Sequence, residues 1–305
     1  MIDYDYHPVY FSQKESKMSN YVIVTDTNCD ISPDILKEWG VQVASLTFRF
    51  TDSNEEYTNL SMPASEFYAE MRKGRVAKTA AVNTENFSEL FDSILKEGND
   101  VLYIGFSSGL SNTYNAGRLA AEAMREKYPE RKIFTVDTLA ASAGEGLALY
   151  LTVQKKNAGA TIEEAVKYAE EIHPQLSIWF TVDDLEYLKR GGRISPTTAF
   201  VGNALGIKPI LHMDENGKLV SVSKVRGRKA AIAALASKYA ELGKDTEGGI
   251  YFISHGDCYD DAKLLADMIE EKSGVKVHLI SDVGPSIGAH SGPGTIALFF
   301  IGTQK

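Results

Sequence analysis

The chain has 305 residues, of which 44% are hydrophobic and 24% charged, and its formal net charge is −9. That length exceeds the size at which a single core usually stops growing, so two domains are expected. The acidic balance argues against a protein that tracks a phosphate backbone, so no nucleic-acid partner is expected, and the two cysteines, Cys29 and Cys258, suit a reduced, cytoplasmic setting rather than a disulfide scaffold.

Residues 1–17 are polar and aromatic without a signal-peptide apolar segment. Residues 1–19 therefore read as a flexible leader, with Met18 a candidate natural start. No apolar run approaches the roughly 20 residues of a membrane helix. Tyr21–Thr25 is a short β-branched run, the pattern of a buried strand. Ser32-Pro33 supplies an N-cap and a first-turn proline, and Gly40 ends that helix. Val41–Phe50 alternates like one strand. Pro63–Arg72 and Thr84–Lys96 read as amphipathic helices. Val101–Phe106 is a strand, and a helix follows from about Asn112 to Lys127. Lys132–Val136 is a strand, and a long helix begins near Ala141. Thr161-Ile162-Glu163-Glu164 is a capping box for a helix that stops near His173-Pro174.

This alternation implies a parallel sheet with helices on both faces over residues 20–174. After Pro174 the texture changes. Leu176–Val182, Ile207–Met213 and Lys218–Val225 read as strands, the last two joined at Asn216-Gly217, a hairpin signal. Further strands are expected at Gly249–Ser254, Val275–Ile280 and Thr295–Ile301. Residues 175–305 are therefore expected to form a mixed, partly antiparallel α/β domain.

Five segments could carry chemistry. Asp26 lies directly after the first strand, where it is either a phosphoryl acceptor or, as the reading favoured here, an Asx-turn and helix cap. Gly105-Phe106-Ser107-Ser108-Gly109 contains G-x-S-x-G, but the turn runs on past Ser107, and Ser111 is the better N-cap. The free N–H groups of Asn112 and Thr113 at that helix start suit a carboxylate or phosphate. Thr79 stands in a loop that says little alone. Arg193 follows a Gly-Gly helix stop and forms either a salt bridge or a specific contact. His290 sits in a glycine-rich and proline-rich loop, Gly284–Gly294, that brings backbone close to something. No metal spacing, P-loop or G-x-G-x-x-G is present.

Read in order, TDTNCDIS, FSSGLSNTYNAG, TVDTLAASAGEG, DDLEYLKRGGRIS with IKPIL, RGRKAA and VGPSIGAHSGPG resemble the DegV family, the fatty-acid-binding subunits of bacterial fatty acid kinase systems, from about Tyr21 to Gly302. The resemblance implies two α/β domains with a long-chain fatty acid between them. It implies carboxylate binding by Thr79, Ser111 and His290, with Asn112 and Thr113 at the helix start, and with Arg193 acting through water or a neighbour. It further implies a carrier with no catalytic residue, no metal and no cofactor, which presents the carboxylate to a separate kinase for acyl-phosphate formation. The basic run Arg226-Gly227-Arg228-Lys229 either meets that kinase or an anionic membrane transiently, or is a solvated helix start. Two enzymatic readings stand beside it. One is a serine hydrolase using Ser107, His290 and Asp257 or Asp282. The other is an Asp26-dependent phosphotransferase.

Overall fold

A computed structural model describes residues 20–195, 206–244 and 249–305. The expected leader lies outside them. In the first lobe, β1 (Tyr21–Asp26) runs into a 3-10 turn at Thr27–Cys29 and then α1 (Pro33–Glu38). The Ser32 hydroxyl accepts from the Ile35 N–H, and Gly40 closes the helix at φ +65°. β2 (Val41–Ala44), β3 (Thr47–Phe50), β4 (Tyr57–Thr58), α2 (Ala64–Arg72) and β5 (Ala77–Ala80) follow. Next come α3 (Thr84–Lys96), β6 (Asp100–Gly105), α4 (Thr113–Lys127), β7 (Ile133–Asp137), α5 (Ala143–Asn157) and α6 (Ile162–Ile172). The capping box forms: Thr161 N–H donates to Glu164 and Glu164 N–H donates to Thr161 Oγ1.

The first sheet is wholly parallel, in the order β2-β1-β6-β7. The single strand expected over Val41–Phe50 is two strands in two sheets. The Leu46 N–H donates to Thr27 Oγ1 at 3.0 Å, which turns the chain out of the first sheet. β3 then joins β4 and β5 in a small antiparallel sheet. Period-two alternation survives such a bend, so the pattern hid it.

The second lobe begins with β8 (Leu176–Thr181) and continues through α7 (Leu185–Arg190), β9 (Ile207–Met213), β10 (Leu219–Arg226), α8 (Arg228–Leu242), β11 (Tyr251–His255), α9 (Tyr259–Ser273), β12 (Leu279–Asp282), α10 (Pro285–Ser291) and β13 (Ile296–Ile301). Its sheet has the order β10-β9-β8-β13-β11-β12, and only the β11–β12 pairing is parallel. The fold is thus α/β, with a parallel first region and a mixed second one. The Gly284–Gly294 segment, expected as a loop, holds the two-turn helix α10. Pro285 starts it and Gly292, at φ +80°, stops it.

α5 joins the two lobes. Eleven consecutive residues, Ala143–Val153, are buried. A helix that is covered on every side must lie within a core rather than on one. One continuous apolar cluster runs from Tyr21, Ile23 and Ile104 through Leu147 and Leu149 to Leu176, Ile178 and Phe299.

Candidate functional site

A narrow slot opens where the two lobes face each other. It holds about 760 Å³ of space free of protein atoms, counted out to its mouth. Leu46, Phe106 and Leu110 from the first lobe and Ile178, Phe180 and Phe299 from the second supply much of the wall.

Thr79, Ser111, Arg193 and His290 also line it. Thr79 comes from β5 and His290 from the last turn of α10. Their side chains meet, Oγ1 to Nε2, at 2.9 Å. Gly191, just after α7, allows the imidazole in: a Cβ there would lie 2.2 Å from His290 Nδ1. Burial first, and then the charges of Arg193 and Arg190, push His290 down to about 4. The ring is therefore neutral at pH 7, and its Nδ1 has no partner. A neutral imidazole can donate from one nitrogen only, and Thr79 takes either role.

Ser111 Oγ accepts the Thr113 N–H at 3.2 Å and lies 2.9 Å from Thr113 Oγ1. The helix N-cap is Asn112, not Ser111. The Thr113 N–H expected to be free is thus occupied, and Thr113 itself is fully buried. Asn112 faces an open polar groove outside the slot. Thr79, Ser111 and Arg193 line both that groove and the slot, so they stand at its mouth. Arg193 donates from Nε and Nη2 to the Leu110 carbonyl at 3.2 and 2.9 Å, and from Nη1 to the Gly191 carbonyl. It ties the loop before Ser111 to the loop that cradles His290.

Neither enzymatic arrangement is assembled. Ser107 is fully buried; its hydroxyl donates to the Gly217 carbonyl at 2.9 Å and accepts from the Gly109 N–H at 3.1 Å. The Asp214–Gly217 hairpin turn docks on this loop so closely that a Cβ on Gly109 would sit 2.5 Å from the Asn216 carbonyl oxygen. Gly109 of the G-x-S-x-G serves that approach, Gly105 makes room for the Tyr103 ring, and His290 points at Thr79 instead. Asp257 pairs with Arg72, and Asp282 lies 3.6 Å from His255. Asp26 caps the 3-10 turn and accepts from Asn28, Tyr103 and Phe106. Its oxygens are occupied, which leaves no lone pair aimed at a phosphoryl group. Among the described residues, no His, Cys, Asp and Glu cluster could hold a metal.

The sequence reading missed Ser286 and Ser291 of α10, and also Ser142 and Ser254, all of which line the slot. The i, i+4 spacing of Ser286 and His290 would have pointed to a shared face, had the segment been read as a helix.

Fold and site together define a two-lobed α/β protein with a buried apolar slot that ends in hydroxyls and one neutral imidazole. Residues 20–303 match the model of the DegV family, COG1307. The chain belongs to the DegV family. It is 39% identical to a DegV domain-containing protein of Clostridium perfringens, over 94% of this chain and 99% of that one. Among solved structures it resembles a DegV lipid-binding protein of Thermotoga maritima, with 29% identity and a TM-score of 0.81 over 94% of this chain and 99% of that one. It also resembles DegV, a fatty-acid-binding protein of Bacillus subtilis, with 26% identity and a TM-score of 0.78 over 92% and 98%.

Proposed function

We propose that this chain binds a long-chain fatty acid in the slot, holds its carboxylate at Thr79, Ser111 and His290, and carries it to a separate kinase. The observation that carries this reading is the contact between Thr79 Oγ1 and His290 Nε2 in a slot with mainly apolar walls between the lobes. The fatty-acid-binding and lipid-binding relatives support it.

The division of labour follows from solvation. About fifteen buried methylenes, at roughly 0.8 kcal/mol each, contribute on the order of 12 kcal/mol before ordering costs. The carboxylate must not be buried unpaired, so the hydroxyls and the imidazole supply its hydrogen bonds. Asn112, outside the slot, meets the head group from the groove. Arg193 adds positive charge and fixes both loops. The groove at the mouth gives a kinase access to the carboxylate oxygen, so that the acyl phosphate forms without a catalytic residue of this chain.

The carrier works in the cytoplasm. Among the described residues no helix is long and apolar enough to cross a membrane. The exposed Arg226 and Lys229 would make any transient contact with an anionic surface, since Arg228 is paired with Asp261 and Asp183. Mass spectrometry of an organic extract of the purified protein tests the central claim. A long-chain fatty acid close to equimolar with protein is expected. An extract without one, together with no binding of added fatty acid, overturns the reading.

A further inference from the structure

Two hydroxyls line the slot but not the groove at its mouth. Ser286 and Ser291 are 4% and 5% exposed, both line the slot, and neither Oγ has a hydrogen-bond partner. Thr181 and Ser281 also carry unpartnered hydroxyls, but neither lines the slot. Ser286 lies one helical turn before His290 on the same face of α10, and Ile287 one turn before Ser291. This stripe of four residues faces the ligand space. The backbone around the two serines is held independently: Ser286 N–H donates to Asn59 Oδ1 at 2.7 Å, and the Ser291 carbonyl accepts from Thr295 Oγ1 at 3.1 Å.

A saturated chain threaded past these hydroxyls offers them nothing and displaces any water that would. Buried hydroxyls left without partners weaken binding, and a site that presents them discriminates in favour of a ligand that pairs them. Resting on the fatty-acid reading above, we propose that the preferred ligand is a hydroxylated long-chain fatty acid whose chain hydroxyl pairs with Ser286 or Ser291. A hydroxyl both donates and accepts, so it can pair with either serine in either role.

Titration of the full chain, after its lipid has been removed, with stearic, 3-hydroxystearic, 5-hydroxystearic and 12-hydroxystearic acids tests this. At least one hydroxy acid should bind about tenfold or more tighter than stearic acid. The double variant S286A/S291A should reverse that order. Equal or weaker binding of all three hydroxy acids overturns the proposal, as does a preference that survives the double substitution. If stearic acid and all the hydroxy acids fail to bind, the fatty-acid reading itself falls, and this proposal with it.

Discussion

Asp30 Oδ1 accepts the backbone N–H of Gly284 at 2.9 Å, so the turn after β1 holds the start of the helix that carries His290. Its other oxygen accepts from Ser142 Oγ at 2.5 Å, and Ser142 Oγ lies 2.8 Å from Ser254 Oγ. Asp30 and Ser142 belong to the first lobe, and Gly284 and Ser254 to the second. Burial pushes the Asp30 carboxyl up to about 8, against the two hydrogen bonds that pull it down.

A carboxyl with a raised value in the fold favours the protonated form. Its contribution to stability is fully present below the unfolded value of 3.8 and is lost as pH rises to about 8. Asp30→Asn keeps an acceptor for Gly284, and the loss of melting temperature from pH 4 to 8 should be smaller in it than in the parent. Asp30→Ala orphans two buried donors and should cost roughly 2–4 kcal/mol in denaturant unfolding. Parallel melting curves for Asp30→Asn and the parent would show that Asp30 is not the titrating group.

Thr79→Ala combined with Ser111→Ala removes two hydroxyl donors to the carboxylate. Hydrogen bonds to charged groups contribute about 1.5–3 kcal/mol each, so fatty-acid affinity should fall by about a hundredfold or more. Circular dichroism should be unchanged, because neither side chain belongs to a core cluster. Unchanged affinity in displacement titrations would remove the carboxylate assignment.

His290 is held down at about 4 in the fold against 6.5 ordinarily. Stability from this group is complete above pH 6.5 and is lost as pH falls towards 4, by roughly 3 kcal/mol at most. His290→Gln should flatten that acid limb of the unfolding profile. A bound carboxylate adds negative charge beside the ring, so fatty acid should raise the His290 titration midpoint in proton NMR. A midpoint that ignores the ligand would separate His290 from the head group.

Ser107→Ala leaves the Gly217 carbonyl and the Gly109 N–H without the hydroxyl and should cost about 1–3 kcal/mol of stability. The parent should not react with a fluorophosphonate, since the buried hydroxyl already donates to a carbonyl. Covalent labelling of Ser107 would revive the hydrolase reading.

Local chemistry carried much of the fold. The capping box at Thr161, the proline after Ser32, the Asn-Gly turn before β10 and the apolar spacing of Phe87, Phe91 and Leu95 in α3 act over a few residues, so their sequence pattern predicted the elements they made. Of α8 only a possible start at the basic run was read from the sequence, and α9 was not assigned. α10 was hidden by its own composition, for Gly288 would weaken a free helix. Here it packs so tightly that a Cβ at Gly288 would lie 2.5 Å from the Tyr68 hydroxyl.

The site divides in the same way. The ordered motifs contain Ser111, Arg193 and His290 and imply the family, and only the resemblance pointed to Thr79. Only the tertiary structure decided that Thr79 and His290, 211 positions apart, share a hydrogen bond, that the Thr113 N–H is already taken, and that Ser107 is spent on Gly217. Spacing along the chain encodes contacts within a turn or a strand pair. Contacts between lobes depend on how the β3–β5 sheet, α7 and α10 pack together, and that is fixed by excluded volume and burial over the whole chain.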